Sequence, residues 1–228
     1  MFCCRFLQRV VYYLMEKFFK CTTIDPLVSA LPEAAVWSRL GRNRFLSRIT
    51  PAMEVQLKMA MLQAESLCRP RGRWRLLPVK VCSEQLTLLD GSWQIFSEAF
   101  AQFAAGADFL WLGAVTIGSG IADWIKSSGD DLTTSVVYDA VGSECADQAL
   151  ANLQQIAAQS LRRYGLELAH RRFSIGYGQV DLQHQQRVFE LLELHDLGMS
   201  LSESCIMQPE KSVTAFARVK QINVQNME

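Results

Sequence analysis

A continuous apolar run near the middle of the chain limits the folds that this sequence can adopt. Residues 109–117 read FLWLGAVTI, with almost no polar character. A strand with one face in water alternates apolar and polar residues, whereas a strand buried on both faces gives an unbroken apolar run of this kind. We therefore expect residues 109–117 to form an interior strand, and such a strand needs packed layers on both of its faces.

The other segments alternate between helical and extended patterns without the regular rhythm of a parallel α/β protein. Thr50 and Pro51 have the residue types of a helix N-cap and first helical position, and they predict a helix to about Cys68. Apolar spacing predicts helices at 93–103, 143–164 and 183–194, and strands at 76–81, 86–89, 199–206 and 213–219. The sequence therefore predicts an α+β fold, with a mixed or antiparallel sheet flanked by helices.

The composition is that of an ordinary globular protein. Half of the residues are hydrophobic, and 23 basic residues balance 23 acidic ones. Because a general nucleic-acid-binding protein is usually basic, we expect no nucleic-acid partner. The seven cysteines lack a C-x-x-C pair, and the three histidines lack the spacing of metal ligands. We expect mostly buried, reduced thiols of a cytoplasmic protein and no metal site.

The first 21 residues are apolar and aromatic, but charged residues interrupt them. No apolar run approaches the ~20 residues that span a bilayer, so no transmembrane segment is expected. Four side chains share one helical face and indicate either a core or partner-facing helix or a peripheral membrane helix: Phe6, Val10, Tyr13 and Phe18. We predict a helical extension at residues 1–50 and a single α+β domain at residues 51–228.

Two local motifs each allow two interpretations. The basic cluster at residues 69–73 is either a solvated loop or a contact to a phosphate or a corrinoid side chain. Gly118-Ser119-Gly120 follows the apolar run, and a glycine-rich turn after a strand is typical of nucleotide-binding Rossmann folds. That fold also requires regular strand–helix–strand units, which this sequence lacks.

The last third of the chain contains a series of short motifs in a distinctive order. Arg172 stands four residues before Gly176-Tyr177, a helical segment follows, and further motifs end at Ser212-Val213. This order resembles the C-terminal reactivation domain of cobalamin-dependent methionine synthase, here as a stand-alone chain. Other segments that resemble the same family are Ala107-Asp108-Phe109, Ala114-Val115-Thr116, Asp139-Ala140-Val141-Gly142-Ser143-Glu144, Gly198-Met199-Ser200-Leu201, and Met207 with Pro209.

The resemblance implies the fold of that domain and a site for S-adenosylmethionine (AdoMet). In the family, the arginine clamps the AdoMet carboxylate, the glycine admits the ligand, and the tyrosine lies beside AdoMet and the corrinoid. On this basis the site residues would be Arg172, Gly176 and Tyr177, with Glu144 and Glu167 as carboxylate partners. The residues alone allow a plainer reading, in which Glu144 complements a helix dipole and Gly176 centres a turn.

The resemblance also implies a reaction and its partners. Family members repair inactive cob(II)alamin by one-electron reduction coupled to methyl transfer from AdoMet, as part of methionine biosynthesis. This chain has no Asp-x-His-x-x-Gly motif of corrinoid-binding proteins. The cobalamin would therefore come from a partner, either a corrinoid-binding protein or a methionine synthase core, with a flavodoxin-like or other electron donor.

Two further functions stay open. The family follows its tyrosine with Pro-Ala-Cys, whereas this chain has Gly178-Gln179-Val180. The chain also lacks a tyrosine after the final strand motif. These departures favour a non-catalytic adaptor of a corrinoid methyltransferase system that no longer binds AdoMet. An ordinary small-molecule AdoMet methyltransferase is the third hypothesis, and it would require a parallel sheet.

Overall fold

The computed structural model describes residues 16–41, 49–82, 85–88, 91–127 and 131–222. Phe6, Val10 and Tyr13 of the predicted N-terminal face lie outside these residues. Phe18, the fourth member of that face, lies in a 3-10 turn at Glu16–Phe19 and is buried against Trp74. None of the described helices has the length and apolarity that crossing a bilayer requires.

Six helices and nine strands follow in the described residues. The helices are α1 (Glu33–Arg39), α2 (Pro51–Ser66), α3 (Glu98–Ala104), α4 (Gly120–Ser127), α5 (Leu132–Arg162) and α6 (His184–Leu192). The strands are β1 (Thr22–Ile24), β2 (Arg71–Val81), β3 (Gln85–Leu88), β4 (Gln94–Phe96), β5 (Phe109–Thr116), β6 (Leu166–Phe173), β7 (Ser200–Leu201), β8 (Met207–Gln208) and β9 (Ser212–Gln221). A 3-10 turn at Leu194–Leu197 follows α6.

Seven of these strands form one sheet in the order β4-β3-β2-β5-β9-β6, with β1 also paired to β2. Every pairing in this sheet is antiparallel. The α+β prediction is therefore confirmed, and the sheet is antiparallel rather than mixed. The parallel sheet of a Rossmann methyltransferase is absent from the described residues.

The central strand β5 is buried on both faces, as its apolar run predicts. All eight of its residues are buried. On one face, Trp111 and its neighbours pack against the apolar stripe of α5, which includes Leu153 and Ala157. On the other face, Leu110 and Leu112 lie in the cluster that α3 and α6 cover. This three-layer arrangement places the long helix α5 across the strands β5, β9 and β6.

Two sequence predictions about local structure are wrong, and a third element, a strand, begins earlier than predicted. Residues 93–103 are not one helix, because β4 ends at Phe96 and α3 begins after Ser97. Ser97 is the N-cap of α3, and its Oγ accepts a hydrogen bond from Phe100 N. Phe96, within the predicted helix, lies in β4 and is 70% exposed. The strand predicted at 76–81 begins at Arg71, within the basic cluster. Only two-residue strands, β7 and β8, form near the strand predicted at 199–206.

The basic cluster is part of the sheet rather than a solvated loop. Arg73, only 11% exposed, donates from Nη1 to the carbonyl oxygens of Leu192 and Glu193 at 3.1 and 2.7 Å. Arg75 donates in the same way to the carbonyl of Leu191 at 2.9 Å. Carbonyls at a helix C-terminus lack partners within the helix and attract cations. The two arginines therefore fasten the end of α6 to β2.

The glycine turn after β5 serves close packing. A Cβ atom on Gly120 would lie 2.6 Å from the backbone carbonyl oxygen of Leu67, at the end of α2. Gly118 adopts a φ of +79°, which favours glycine. The spacing that is typical of nucleotide-binding loops is thus explained by the approach of α2 to the start of α4.

The helix predicted at 143–164 is α5, and it begins eleven residues earlier, at Leu132 (143 − 132 = 11). Asp131 is its N-cap, with Oδ1 accepting from Thr134 N at 3.0 Å. Hydrogen bonds from the Thr134 side chain and backbone hold the pKa of this carboxyl below its ordinary value. The charged cap therefore stabilises the folded state above the unfolded pKa of about 4, and this contribution is lost as the pH falls through the lower folded pKa.

We predict that Asp131→Asn changes the pH dependence of stability at this cap. Asparagine caps helices about as well as aspartate but does not titrate. The stability advantage of the wild type over Asp131→Asn should therefore be steady near neutral pH and shrink below about pH 4. Urea unfolding of both proteins across this pH range measures it. A difference that stays constant into acid would contradict the assignment of the shifted pKa to this cap.

The described cysteines are free thiols. Cys68, Cys145 and Cys205 are buried, Cys21 is half-buried and Cys82 is exposed. Within the part of the chain that the structure describes, no three His, Cys, Asp or Glu side chains are grouped so that they could hold a metal ion.

Candidate functional site

A groove opens between α5 and the edge of the sheet formed by β6 and β9. Its volume is about 370 Å³, within the range of small-molecule sites. Helix α5 contributes one wall, β6 with the loop after it contributes the other, and β9 forms the floor. The lining side chains are Asp147, Leu150, Arg172, Phe173, Ser174, Tyr177, Val213 and Ala215.

Arg172 is the most unusual side chain of the groove. Its Nη1 atom is buried and has no hydrogen-bond partner among the described residues. A buried donor without a partner costs about 1–3 kcal/mol, and more when the group is charged. Such groups are rare in native proteins, and each one calls for an explanation such as an absent ligand. Arg172 lines the groove, so its guanidinium places a positive charge beside any anionic group that enters.

Arg172 also lines a second cavity farther along α5. This cavity has a volume of about 380 Å³ and is bounded by Gln154, Gln155 and His170 together with small apolar side chains. Because Arg172 lines both cavities, it lies where they meet.

The loop after β6 is a compact glycine turn. Gly176 has a φ of +91° and donates its N–H to the carbonyl of Val180 at 3.2 Å. This amide is therefore already used within the turn. Tyr177 stands beside it with 70% of its surface exposed, at the rim of the groove. The turn thus presents an aromatic ring to solvent next to Arg172.

The next residue fixes this turn to the rest of the domain. Gly178 has a φ of +57°, and its carbonyl accepts a hydrogen bond from Ser97 Oγ at 2.7 Å. A Cβ on Gly178 would lie 2.9 Å from both Ala99 and the ring of Phe173. The glycine that replaces the family's proline is therefore required by the local packing against α3.

The structure places the two predicted glutamates away from the groove lining. Glu144, on α5, forms an ion pair with Arg39 of α1, with Nε and Oε1 2.6 Å apart. Glu167 is exposed near the start of β6, in register with Lys220 of β9. The carboxylate that does line the groove is Asp147, one helical turn after Glu144. Sequence analysis missed it, although its position beside the apolar stripe of the predicted helix was a usable signal.

The motif around Gly142 has a structural explanation. Lys211 donates from Nζ to Asp139 Oδ1 at 2.6 Å and to Ser143 Oγ at 2.9 Å. The stem of this lysine crosses the helix at Gly142, where a Cβ would lie 3.1 Å from its Cγ. The sequence had placed these residues at the start of a helix, but they lie inside α5. They hold the turn before β9 against the helix, next to Val213 of the groove floor.

We predict that Lys211→Met lowers the free energy of unfolding by about 1 kcal/mol. Methionine keeps the apolar stem over Gly142 but loses the ion pair with the exposed Asp139 and the hydrogen bond to Ser143. Urea unfolding measures the change, and Lys220→Met, a substitution of an exposed lysine of β9, is the control. Equal stabilities of the two variants would contradict the proposed clamp.

Comparisons with known proteins agree with this architecture. No protein-family model matches the chain, and no curated protein matches it either. Among solved structures, it is similar to the crystal structure of the MetH reactivation domain bound to AdoHcy, with a TM-score of 0.62 and 17% sequence identity. The match covers 87% of this chain and 78% of that chain. The chain has the fold of the methionine synthase reactivation domain.

The likeness to the reactivation domain extends over nearly the whole described chain. At 17% identity it establishes the fold and leaves the site to be argued from the residues of this chain. The groove beside Arg172 and Tyr177 lies on the segment whose motifs resemble that family. The fold prediction is therefore confirmed, whereas the assignment of the individual site residues stays a prediction.

Proposed function

We propose that this chain binds AdoMet in the groove between α5 and β6 and presents its methyl group to a corrinoid carried by a separate protein. The observation that carries the proposal is the buried, unpartnered Nη1 of Arg172 at the wall of a groove of about 370 Å³. Two facts support it: the shared fold, and the AdoHcy that the similar MetH domain holds. AdoHcy is the product that remains when AdoMet gives up its methyl group.

The residues of the groove fit the charges of AdoMet. A guanidinium binds a carboxylate through two parallel hydrogen bonds, and Arg172 offers that geometry to the amino-acid end of the ligand. Asp147 supplies negative charge on the opposite wall for the ammonium and sulfonium groups. Glu144 adds to this charge one helical turn away, although Arg39 neutralises it in part. Glu167 stays a prediction of the family resemblance that these contacts do not use.

The proposed reaction needs positioning more than acid–base chemistry. One electron from a donor protein reduces cob(II)alamin to cob(I)alamin. The S–CH₃ bond of AdoMet then breaks as the Co–CH₃ bond forms, leaving methylcobalamin and AdoHcy. The groove's task is to hold the sulfonium methyl toward the partner's cobalt, which lowers the entropic cost of the transfer. Tyr177, exposed at the rim, is suited to meet the partner.

The partners follow from this reaction. The corrinoid carrier would be a corrinoid-binding protein or a methionine synthase core, and a flavodoxin-like protein would serve as electron donor. A cytoplasmic location stays a prediction of the same account.

A thermal-shift measurement tests ligand binding first. AdoMet or AdoHcy at 100 times its dissociation constant should stabilise the folded chain by about 2.7 kcal/mol. Cob(II)alamin, reduced by one electron from a flavodoxin-like or other donor in the presence of AdoMet, the chain and a corrinoid-binding protein, should then give methylcobalamin, which is followed by absorbance. A folded protein that neither ligand stabilises would contradict the proposal and favour the non-catalytic adaptor.

A further inference from the structure

The strand that bears Arg172 contains an irregularity just before this residue. Leu168 pairs with Val219 of β9, but Arg172 pairs with Ala217. Four steps along β6 thus match two steps along β9, so β6 holds two extra residues in a bulge (4 − 2 = 2). In a regular antiparallel ladder, each step forward along β6 pairs with one step back along β9, so Arg172 would lie opposite Ala215. Because of the bulge, Arg172 lies two residues closer to Val219 along β9, a distance of about 7 Å at roughly 3.3 Å a residue.

A bulge leaves backbone groups without their ladder partners, and here one side chain satisfies two of them. Gln154 of α5 donates from Nε2 to the carbonyl of Ala169 at 2.6 Å and to that of His170 at 3.3 Å. Gln154 is only 8% exposed, within a stripe of α5 that is otherwise apolar. A buried amide in an apolar stripe is costly unless it is hydrogen-bonded, which these two contacts provide.

The same side chain borders the site. Gln154 and Arg172 both line the second cavity of about 380 Å³, between α5 and β6. The carbonyls that Gln154 holds belong to the residues three and two positions before Arg172. These hydrogen bonds therefore fix the distance between the bulge and α5, the helix that forms the other wall of the groove. If the bulge relaxed toward a regular ladder, the guanidinium would move along the groove by several ångströms.

We propose that Gln154 is a positioning residue: it holds the β6 bulge so that Arg172 meets the carboxylate of the ligand. This inference rests on the proposed function, because it assigns the carboxylate end of AdoMet or AdoHcy to Arg172. Loss of a residue that orients a binding group without contacting the ligand commonly weakens affinity by about 10–100-fold, as at metal sites.

Gln154→Met tests the inference, because methionine has a similar size and donates no hydrogen bond. Gln155→Met is the matched control, since Gln155 is the next residue, lines the same cavity and is exposed. Titration calorimetry with AdoHcy should show about tenfold or weaker binding by Gln154→Met and unchanged binding by Gln155→Met. If Gln154→Met does not fold, Gln154→Ala replaces it, because the adjoining cavity admits water to the two carbonyls.

A double-mutant cycle separates positioning from general damage. Arg172→Ala should cost much less affinity in the Gln154→Met background than in the wild type, since the two residues act on one contact. Additive losses would mean that Gln154 acts elsewhere, and they would overturn the proposal. Unchanged AdoHcy affinity in Gln154→Met would overturn it as well.

Hydrogen exchange provides a readout that needs no ligand. The amides of residues 169–173 should exchange faster in Gln154→Met than in the wild type, and Gln155→Met should match the wild type. Unchanged exchange would overturn the proposal. If the wild type does not bind AdoHcy, the proposed function fails, and this exchange comparison alone then decides whether Gln154 holds the bulge.

Discussion

Gly113→Ala is expected to lower the free energy of unfolding by about 3 kcal/mol or more. A Cβ on Gly113 would lie 2.2 Å from Cη2 and 2.3 Å from Cζ2 of Trp111 on the same face of β5. Trp111 is fully buried beneath α5, so its indole has no free space to enter. The backbone of β5 is also fixed, because β2 and β9 pair with it on both sides. Overpacking of a dense core costs about 1–3 kcal/mol and sometimes more.

Urea unfolding measures this effect, and two variants control it. Gly165→Ala introduces the same methyl group where no atom lies within 4 Å, so its cost should be only the backbone strain at a φ of +71°, about 1 kcal/mol. Trp111→Phe makes room for the methyl group, so Gly113→Ala should cost less in that background. A Gly113→Ala protein within about 1 kcal/mol of the wild type would contradict the packing described for β5.

Arg172→Ala is expected to weaken AdoHcy binding by about 10- to 100-fold. Loss of hydrogen bonds between charged groups costs about 1.5–3 kcal/mol, and a tenfold change in affinity corresponds to about 1.4 kcal/mol. The neighbouring Arg171→Ala removes the same charge from an exposed position on the same strand, and it should leave the affinity within about twofold. Titration calorimetry compares the two. Equal losses would mean that general electrostatic attraction, rather than a specific clamp, holds the ligand.

The weaker ligand binding of Arg172→Ala should not be accompanied by a large loss in the free energy of unfolding. Nη1 of Arg172 has no hydrogen-bond partner among the described residues, so its removal takes away a buried donor that these residues do not pair. We expect the free energy of unfolding to stay within about 1 kcal/mol of the wild type, or to rise. Binding sites often hold groups that cost stability until the ligand arrives. A large loss of stability would show that Arg172 is a structural residue.

The parts of the fold that were predictable are those with a strong local pattern. The unbroken apolar run of β5 identified the centre of the sheet, and the cap residues Thr50 and Pro51 identified the start of α2. The structural role of the arginines of β2 was not predictable, because their partners are the carbonyls at the end of α6, more than a hundred residues away. Charge alone suggested solvent, and only the tertiary fold supplies the acceptors.

The site was predictable only through its resemblance to a family. Arg172 and Tyr177 do line one groove, and Asp147 joins them because α5 packs across the sheet beside β6. The fold also places Arg39, 105 residues away in sequence, against Glu144, a contact that no local pattern indicates. Gln154 was hidden for a related reason, since the carbonyls that it binds are created by a bulge. Such contacts depend on register, which the sequence pattern does not specify.

The crystal structure of this chain with AdoHcy would test the central claim most directly. The account predicts the ligand in the groove between α5 and β6, with its carboxylate paired to the guanidinium of Arg172 and its ammonium group on the side of Asp147. Soaking of Arg172→Ala crystals under the same conditions should leave the groove without ligand. AdoHcy bound elsewhere, or a groove that stays free of it at saturating concentration in the wild type, would contradict the account.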